Sequence, residues 1–103
     1  MKILVLGHTG TLGRYIHSYL SKKFDVYTID RNGLDALTTP TSTIIEIVKK
    51  YDVVVNCIGM LKKQQTEENV SIGDYMHVNG VFPTALSVAC DHTKTKLICF
   101  SSD

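Results

Sequence analysis

The chain of 103 residues has no tryptophan, two prolines and three cysteines. It also lacks any marked excess of charge: 11 basic side chains face 10 acidic ones, for a formal net charge of +1. Each absence excludes something. Interspersed charges with no basic patch leave no electrostatic footprint for nucleic acid, and Lys62-Lys63 reads as a solvated loop. No apolar run reaches the length of a membrane span, and Met1-Lys2 leads straight into an apolar strand, with no signal peptide read before it. Cys57, Cys90 and Cys99 are odd in number, sit in apolar stretches and have no metal-type spacing. Free thiols in a reducing cytoplasm fit them better than a disulfide framework. His8, His17, His77 and His92 are too scattered for a metal set. There are no repeats, no low-complexity segment and no linker, so residues 1–103 read as one domain or part of one.

What is present is concentrated near the start. Ile3-Leu4-Val5-Leu6 is an apolar strand, Gly7-His8-Thr9-Gly10-Thr11-Leu12-Gly13 is a glycine turn, and Tyr15-Ile16 with Tyr19-Leu20 has helical spacing. Strand, glycine turn and helix is the layout of a dinucleotide-binding βαβ unit. Gly7 lets the chain leave the strand sharply, Gly10 lets the backbone approach a pyrophosphate, and Gly13 lets the helix pack on the strand. The helix N-terminus adds N–H groups and a positive dipole end. No Gly-Lys-Ser/Thr follows, which argues against a phosphate-loop hydrolase. A second strand over about 25–29 ends in Asp30, where a carboxylate can accept both ribose hydroxyls of an adenosine. Arg31 beside it can instead hold a 2′-phosphate. The balance slightly favours NAD over NADP.

Further along, strands and helices alternate. Residues 31–42 are turn-rich, with a very short strand expected near Leu34. Thr41 or Ser42 is expected to cap a helix through Lys50, with Ile44, Ile47 and Val48 inward. Asp52-Val53-Val54-Val55-Asn56 is a strand covered on both faces. Residues 62–71 read as a charged loop. A helix over about 73–91 carries Met76, Val81, Leu86 and Ala89, and Pro83 should kink it or start its second segment. Leu97-Ile98-Cys99-Phe100 is the last strand. The pattern predicts an α/β fold with a Rossmann-like parallel sheet, strand order 3-2-1-4-5 with strand 3 short or missing, and helices on both faces.

Taken together, these segments resemble the extended short-chain dehydrogenase/reductase family, in particular its dTDP-4-dehydrorhamnose reductase-like group. The glycine turn resembles the family's cofactor turn, and Asp52 to Gly59 its fourth strand with an Asn-ending turn. Asn79-Gly80-Val81-Phe82-Pro83 resembles the Asn-x-x-x-Pro helix start, and Ile98 to Asp103 the Ile-x-x-Ser-Thr-Asp strand. The resemblance implies NAD or NADP as cofactor, with Gly10, Thr11 and Leu12 at the pyrophosphate and Asp30 at the adenosine ribose. It places Asp35 near the adenine and Gly59, Met60 and Leu61 along the cofactor beyond the fourth strand. It further implies Ser102 as the catalytic hydroxyl on the reacting sugar oxygen and Asp103 on the substrate side. Local roles compete: Asp35 can cap a turn, Asn56 can brace its own loop, and Asn79 can hydrogen-bond nearby.

The family's chemistry also needs a Tyr with a Lys four residues later, and the chain reaches Asp103 without that pair in the family's place. The expectation is therefore the NAD(P)-binding part of a nucleotide-sugar reductase or epimerase, truncated before the Tyr-Lys pair and the substrate-binding part. The implied substrate is a nucleotide-sugar, as in dTDP-rhamnose biosynthesis. The alternative is a non-catalytic module that holds NAD(P) or a protein partner. The bare edge of the last strand suggests self-association.

Overall fold

The computed structural model describes residues 1–59 and 72–100. Four strands form one parallel sheet: β1 (Lys2–Leu6), β2 (Asp25–Ile29), β3 (Val53–Asn56) and β4 (Lys96–Cys99), in the order β2-β1-β3-β4. β1 pairs with β2 from Lys2↔Asp25 to Leu6↔Ile29 and with β3 from Ile3↔Val53 to Leu6↔Asn56. β3 pairs with β4 from Val53↔Lys96 to Asn56↔Cys99. This is the expected Rossmann-like order with its third strand missing. Leu34, where a very short strand could lie, sits in the loop between two turns and is buried in the core. One apolar residue among polar neighbours can anchor a loop but cannot form a ladder.

The period-two alternation of the strands divides the core between the two sheet faces. Leu4, Leu6 and Val54 face α2 (Thr41–Val48) and α4 (Phe82–Thr93), packing with Ile44, Val48, Phe82 and Leu86. Ile3, Val5 and Val55 face the other way, packed by Ile16 and Leu20 of α1 (Thr11–Ser21). Across the sheet base, Asp52 Oδ2 accepts the Lys2 N–H at 2.7 Å. The buried Thr95 hydroxyl donates to the Val48 carbonyl at 3.2 Å, tying the start of β4 to α2. α4 ends on Lys94 at φ 59, a left-handed cap made without glycine.

Two helices depart from expectation. α2 is not capped by Thr41 or Ser42. Pro40 is its N-cap, with no side-chain cap bond, and its carbonyl accepts the N–H groups of Thr43 and Ile44. Proline's fixed φ already holds the chain in the extended conformation an N-cap needs, so no hydroxyl is required. The helix also stops at Val48, short of Lys50. The expected 73–91 helix is three pieces: α3 (Ile72–Met76), a π-helical turn (His77–Val81) and α4. The Phe82 N–H donates to the His77 carbonyl, five residues back. Pro83 follows at the first turn of α4, where a missing N–H is tolerated. Met76 and Val81, expected among the apolar residues of this helix, are exposed, whereas Leu86 and Ala89 are buried. The expected charged loop over 62–71 lies outside the described residues.

Candidate functional site

All four strands run the same way, so their C-terminal ends gather the turns after β1, β2 and β3 at one rim of the sheet. In the turn after β1, Gly7 has φ 77, a conformation that favours glycine. A Cβ there would also stand 2.9 Å from the Cys57 carbonyl carbon and 2.9 Å from the Ile58 nitrogen, so the turn lies directly against the exit from β3. The Gly10 N–H donates to the Gly7 carbonyl at 3.2 Å, and the Gly10 carbonyl accepts the Arg14 N–H at 2.9 Å to begin α1. A Cβ on Gly13 would lie 2.6 Å from the Gly7 carbonyl carbon and overlap its oxygen. Gly7 and Gly13 are therefore required by the fold itself.

Gly10 differs. A Cβ there would meet only the Gly7 oxygen, at 3.6 Å, which is ordinary contact, and its φ of −75° suits any residue. The fold has no use for a bare backbone at Gly10, whereas a phosphate approaching the turn closely does. Gly10 is also the N-cap of α1, with no side-chain cap bond, and no acidic side chain stands in the first turn. The first turn of α1 therefore supplies no anion of its own to the positive end of the helix. The glycine turn thus fits a dinucleotide pyrophosphate.

The rim encloses a cleft of about 450 Å³. Its walls are Gly7 to Gly10, the exit of β2 at Ile29, Asp30 and Arg31, the loop Leu34 to Leu37, the exit of β3 at Cys57, Ile58 and Gly59, and Asp74 with Val78. Asp30 holds its own loop: Oδ1 accepts the N–H groups of Asn32 at 3.1 Å and Gly33 at 3.2 Å. Asp35 Oδ1 accepts the Leu37 N–H at 2.8 Å, while the Asp35 N–H donates to the Thr39 hydroxyl at 2.7 Å. The turn-capping alternative for Asp35 is therefore realised, and Asp35 lines the cleft as well. Asn56 braces its loop: Oδ1 accepts the Ile58 N–H at 3.0 Å, and Nδ2 lies 3.9 Å from Cys99 Sγ. Burial pushes the Cys57 thiol above its ordinary pKa, which keeps this wall of the cleft uncharged.

Of the residues expected at the site, Gly7, Gly10, Asp30, Arg31, Asp35 and Gly59 come together in the cleft. Thr11 and Leu12 are exposed at the start of α1 and do not line it, and Gly13 is buried behind the turn. Met60, Leu61, Ser102 and Asp103 lie outside the described residues. Sequence reasoning missed several walls. His8 and Thr9 sit within the glycine turn itself, and Leu37 lies two residues after Asp35. Asp74 and Val78 left no local signal, because only the tertiary fold carries them to the rim. One Tyr-x-x-x-Lys spacing does occur, at Tyr19 and Lys23. There Lys23 Nζ lies over the Tyr19 ring, 5.8 Å from its centroid, at the far end of α1, and neither residue lines the cleft. Among the described residues no group of histidine, cysteine or acidic side chains could hold a metal, and no helix is long and apolar enough to cross a membrane.

The family model of the RmlD substrate binding domain matches residues 1–103. Among solved structures, the chain is similar to a dTDP-4-dehydrorhamnose reductase ortholog from Clostridium acetobutylicum, at 26% identity and TM-score 0.73, covering 94% of this chain and 34% of that one. It is similar to the dTDP-4-dehydrorhamnose reductase of Yersinia enterocolitica at 25% identity and TM-score 0.75, covering 93% and 33%. The reductase of Bacillus anthracis, crystallised in complex with NADP, shares the fold at 21% identity and TM-score 0.74, covering 93% and 34%. The chain spans about a third of the length of these proteins. No curated protein matches it at a significant level.

Proposed function

The chain belongs to the RmlD substrate binding domain family, and from that premise we propose that it is the NAD(P)-binding part of a nucleotide-sugar reductase of the dTDP-4-dehydrorhamnose type. The observation that carries this reading is Gly10. It is a glycine the fold does not need, set at the uncapped N-terminus of α1 and on the wall of the cleft.

When bound, the cofactor supplies hydride for the 4-keto carbonyl of a sugar. In this reading the chain's residues bind and orient. The turn Gly7 to Gly13 takes the pyrophosphate, with Thr11 and Leu12 contributing backbone N–H groups of the first helical turn. Asp30 takes the adenosine ribose and Asp35 lies toward the adenine. Gly59, Met60 and Leu61 run along the cofactor beyond β3. Ser102 hydrogen-bonds the reacting sugar oxygen, and Asp103 meets the nucleotide-sugar. NAD is slightly favoured over NADP, because the Asp30 carboxylate is fixed by two backbone N–H groups while Arg31 extends from an exposed position. The chain is read as working in the cytoplasm.

Calorimetric titration of the chain with NAD and NADP tests the reading. Saturable binding of both, tighter for NAD, is expected. Absence of binding by either would overturn it. A non-catalytic module would bind in the same way; the two readings part at the Tyr-Lys pair, which the reductase reading requires and the module reading does not. Without a positioned Tyr-Lys acid, a contribution typically of about 10²–10⁴-fold is missing, and the 103-residue chain alone is expected to bind cofactor without reducing a dTDP-4-keto-sugar.

A further inference from the structure

α3, the π-helical turn and α4 make one unbroken helical path. Met76, Val81 and Phe82, which stand at the two joins, all keep right-handed helical φ and ψ. Pro83 opens α4, yet it has a turn of helix behind it. A proline so placed meets two penalties in an α-helix. It has no N–H to give, and its ring presses on the carbonyl four residues back.

The first penalty is the same in either register. In an α-helix the Asn79 carbonyl would lose its donor at Pro83. In the observed turn the Phe82 N–H goes to His77, five residues back, so the carbonyl that loses its donor at Pro83 is that of Val78. The second penalty differs, because a wider turn directly before the proline relieves the ring of the carbonyl behind it. The core encloses only one residue of the turn, Val78. Val81 is 55% exposed, and nothing lies within 4 Å of where a Gly80 Cβ would be. The Thr84 hydroxyl donates to the Gly80 carbonyl at 3.0 Å, which ties the turn to α4 and not to the core. Val78 is also a wall of the cleft, and Pro83 is not.

We propose that Pro83 is a positioning residue for this cleft: its ring pins the π-helical turn at His77–Val81 and thereby holds Val78 on the cleft wall. The assignment rests on the dinucleotide reading above and adds to it a residue outside the cleft. Pro83→Ala removes the ring and restores an N–H. The wide turn is then free to move toward Ile72, so that Phe82 bonds Val78 and position 83 bonds Asn79 in the α pattern. Val78 turns off the wall by about 100°, the angle one residue subtends.

NMR couplings across hydrogen bonds read the register directly, with no ligand present. In the wild-type chain the Phe82 nitrogen should couple to the His77 carbonyl carbon, and in Pro83→Ala to that of Val78. Calorimetric titration of the same chains should show NAD affinity lowered by about fivefold or more in the variant. Its melting temperature should match or exceed that of wild type, since alanine suits a helix better than proline. Pro83→Ser, which also restores an N–H, should repeat both changes. A merely structural proline would lower melting and affinity together and leave the coupled carbonyl unchanged. A coupling to His77 that persists in both variants would overturn the assignment, because the core would then hold the register. A switched coupling with unchanged NAD affinity would overturn it as well. Both results leave the dinucleotide reading standing. A wild-type chain that binds neither NAD nor NADP would overturn that reading and the positioning role with it.

Discussion

The side chain of Asn56 holds the backbone of Ile58. Oδ1 accepts the Ile58 N–H at 3.0 Å from a position only 2% exposed. The bond fixes the exit of β3 where it meets the glycine turn, since Cys57 and Ile58 are the atoms a Cβ on Gly7 would strike. Asn56→Ala leaves that N–H without its acceptor. A loss of about 1–3 kcal/mol in chemical denaturation is expected, together with weaker cofactor binding.

Gly10 and Gly13 should separate binding from folding. Gly13→Ala forces a methyl into the Gly7 carbonyl, which is backbone and cannot rotate away, so destabilisation of about 3 kcal/mol or more is expected. Gly10→Ala should cost about 1 kcal/mol or less, yet reduce dinucleotide affinity more than tenfold. Melting curves and titrations on the two variants check this. Equal affinity in Gly10→Ala and wild type would remove the case for the pyrophosphate site.

Asp30 holds its own loop and, in the proposed dinucleotide reading, also takes the ribose. Asp30→Ala frees the N–H groups of Asn32 and Gly33 and should lower stability by about 1 kcal/mol. It also removes the charge that opposes a 2′-phosphate, so the ratio of NADP to NAD affinity should rise with Arg31 intact. Titration with both cofactors reads the ratio. A fall in that ratio would mean that Asp30 does not face the ribose.

The buried Cys90 thiol predicts alkaline sensitivity. Burial first, and the nearby Cys99 second, raise its pKa to about 11, against about 8.5 for an unfolded cysteine. Between these values the unfolded chain releases a proton that the folded chain keeps. Fewer protons bound when unfolded means that stability falls as pH rises through this window. Cys57, also raised by burial, acts in the same direction. Denaturation midpoints from pH 8 upward should decline, and Cys90→Ala should flatten the decline.

β4 is an edge strand among the described residues, with Ile98 41% exposed and Phe100 exposed beside it. Unpaired strand edges with apolar side chains recruit other chains. Light scattering should detect association at high concentration, and Ile98→Lys should reduce it. A wild-type chain that stays monomeric under the same conditions would show the edge to be protected.

Much of this architecture was legible because local and tertiary signals agree. The apolar runs at Ile3 to Leu6 and Val53 to Val55 sit in strands buried on both faces, so neither depended on long-range context. The glycine turn was legible because backbone conformation and close packing both demand glycine at Gly7 and Gly13. The cap of α2 was misread because a hydroxyl in the right place need not bond when Pro40 already sets the entering backbone. The third strand was left open as short or missing because an isolated buried leucine such as Leu34 looks alike in a short strand and in a packed loop. Thr11 and Leu12 were expected on the cleft by motif position, yet their side chains point from an exposed helix start. Asp74 and Val78 were invisible for the opposite reason: their place depends on how α3 docks against loops some forty residues earlier in sequence.

The π-helical turn at His77–Val81 also sets the phase of everything before it. It holds one residue more than an α-helical turn would, so α3 is rotated relative to α4 by about 100°, the angle one residue subtends. Gly80 is the residue the packing would miss least, since nothing lies within 4 Å of where its Cβ would be. Deleting Gly80 would let the segment close into a regular α-helix with the core face of α4 unchanged. Asp74 and the buried Val78 would then both swing off the cleft, so this wall would be lost while the packing of Phe82, Leu86 and Ala89 stayed in place. The surplus residue works as an angular offset that lets a single chain segment serve two surfaces pointing in different directions.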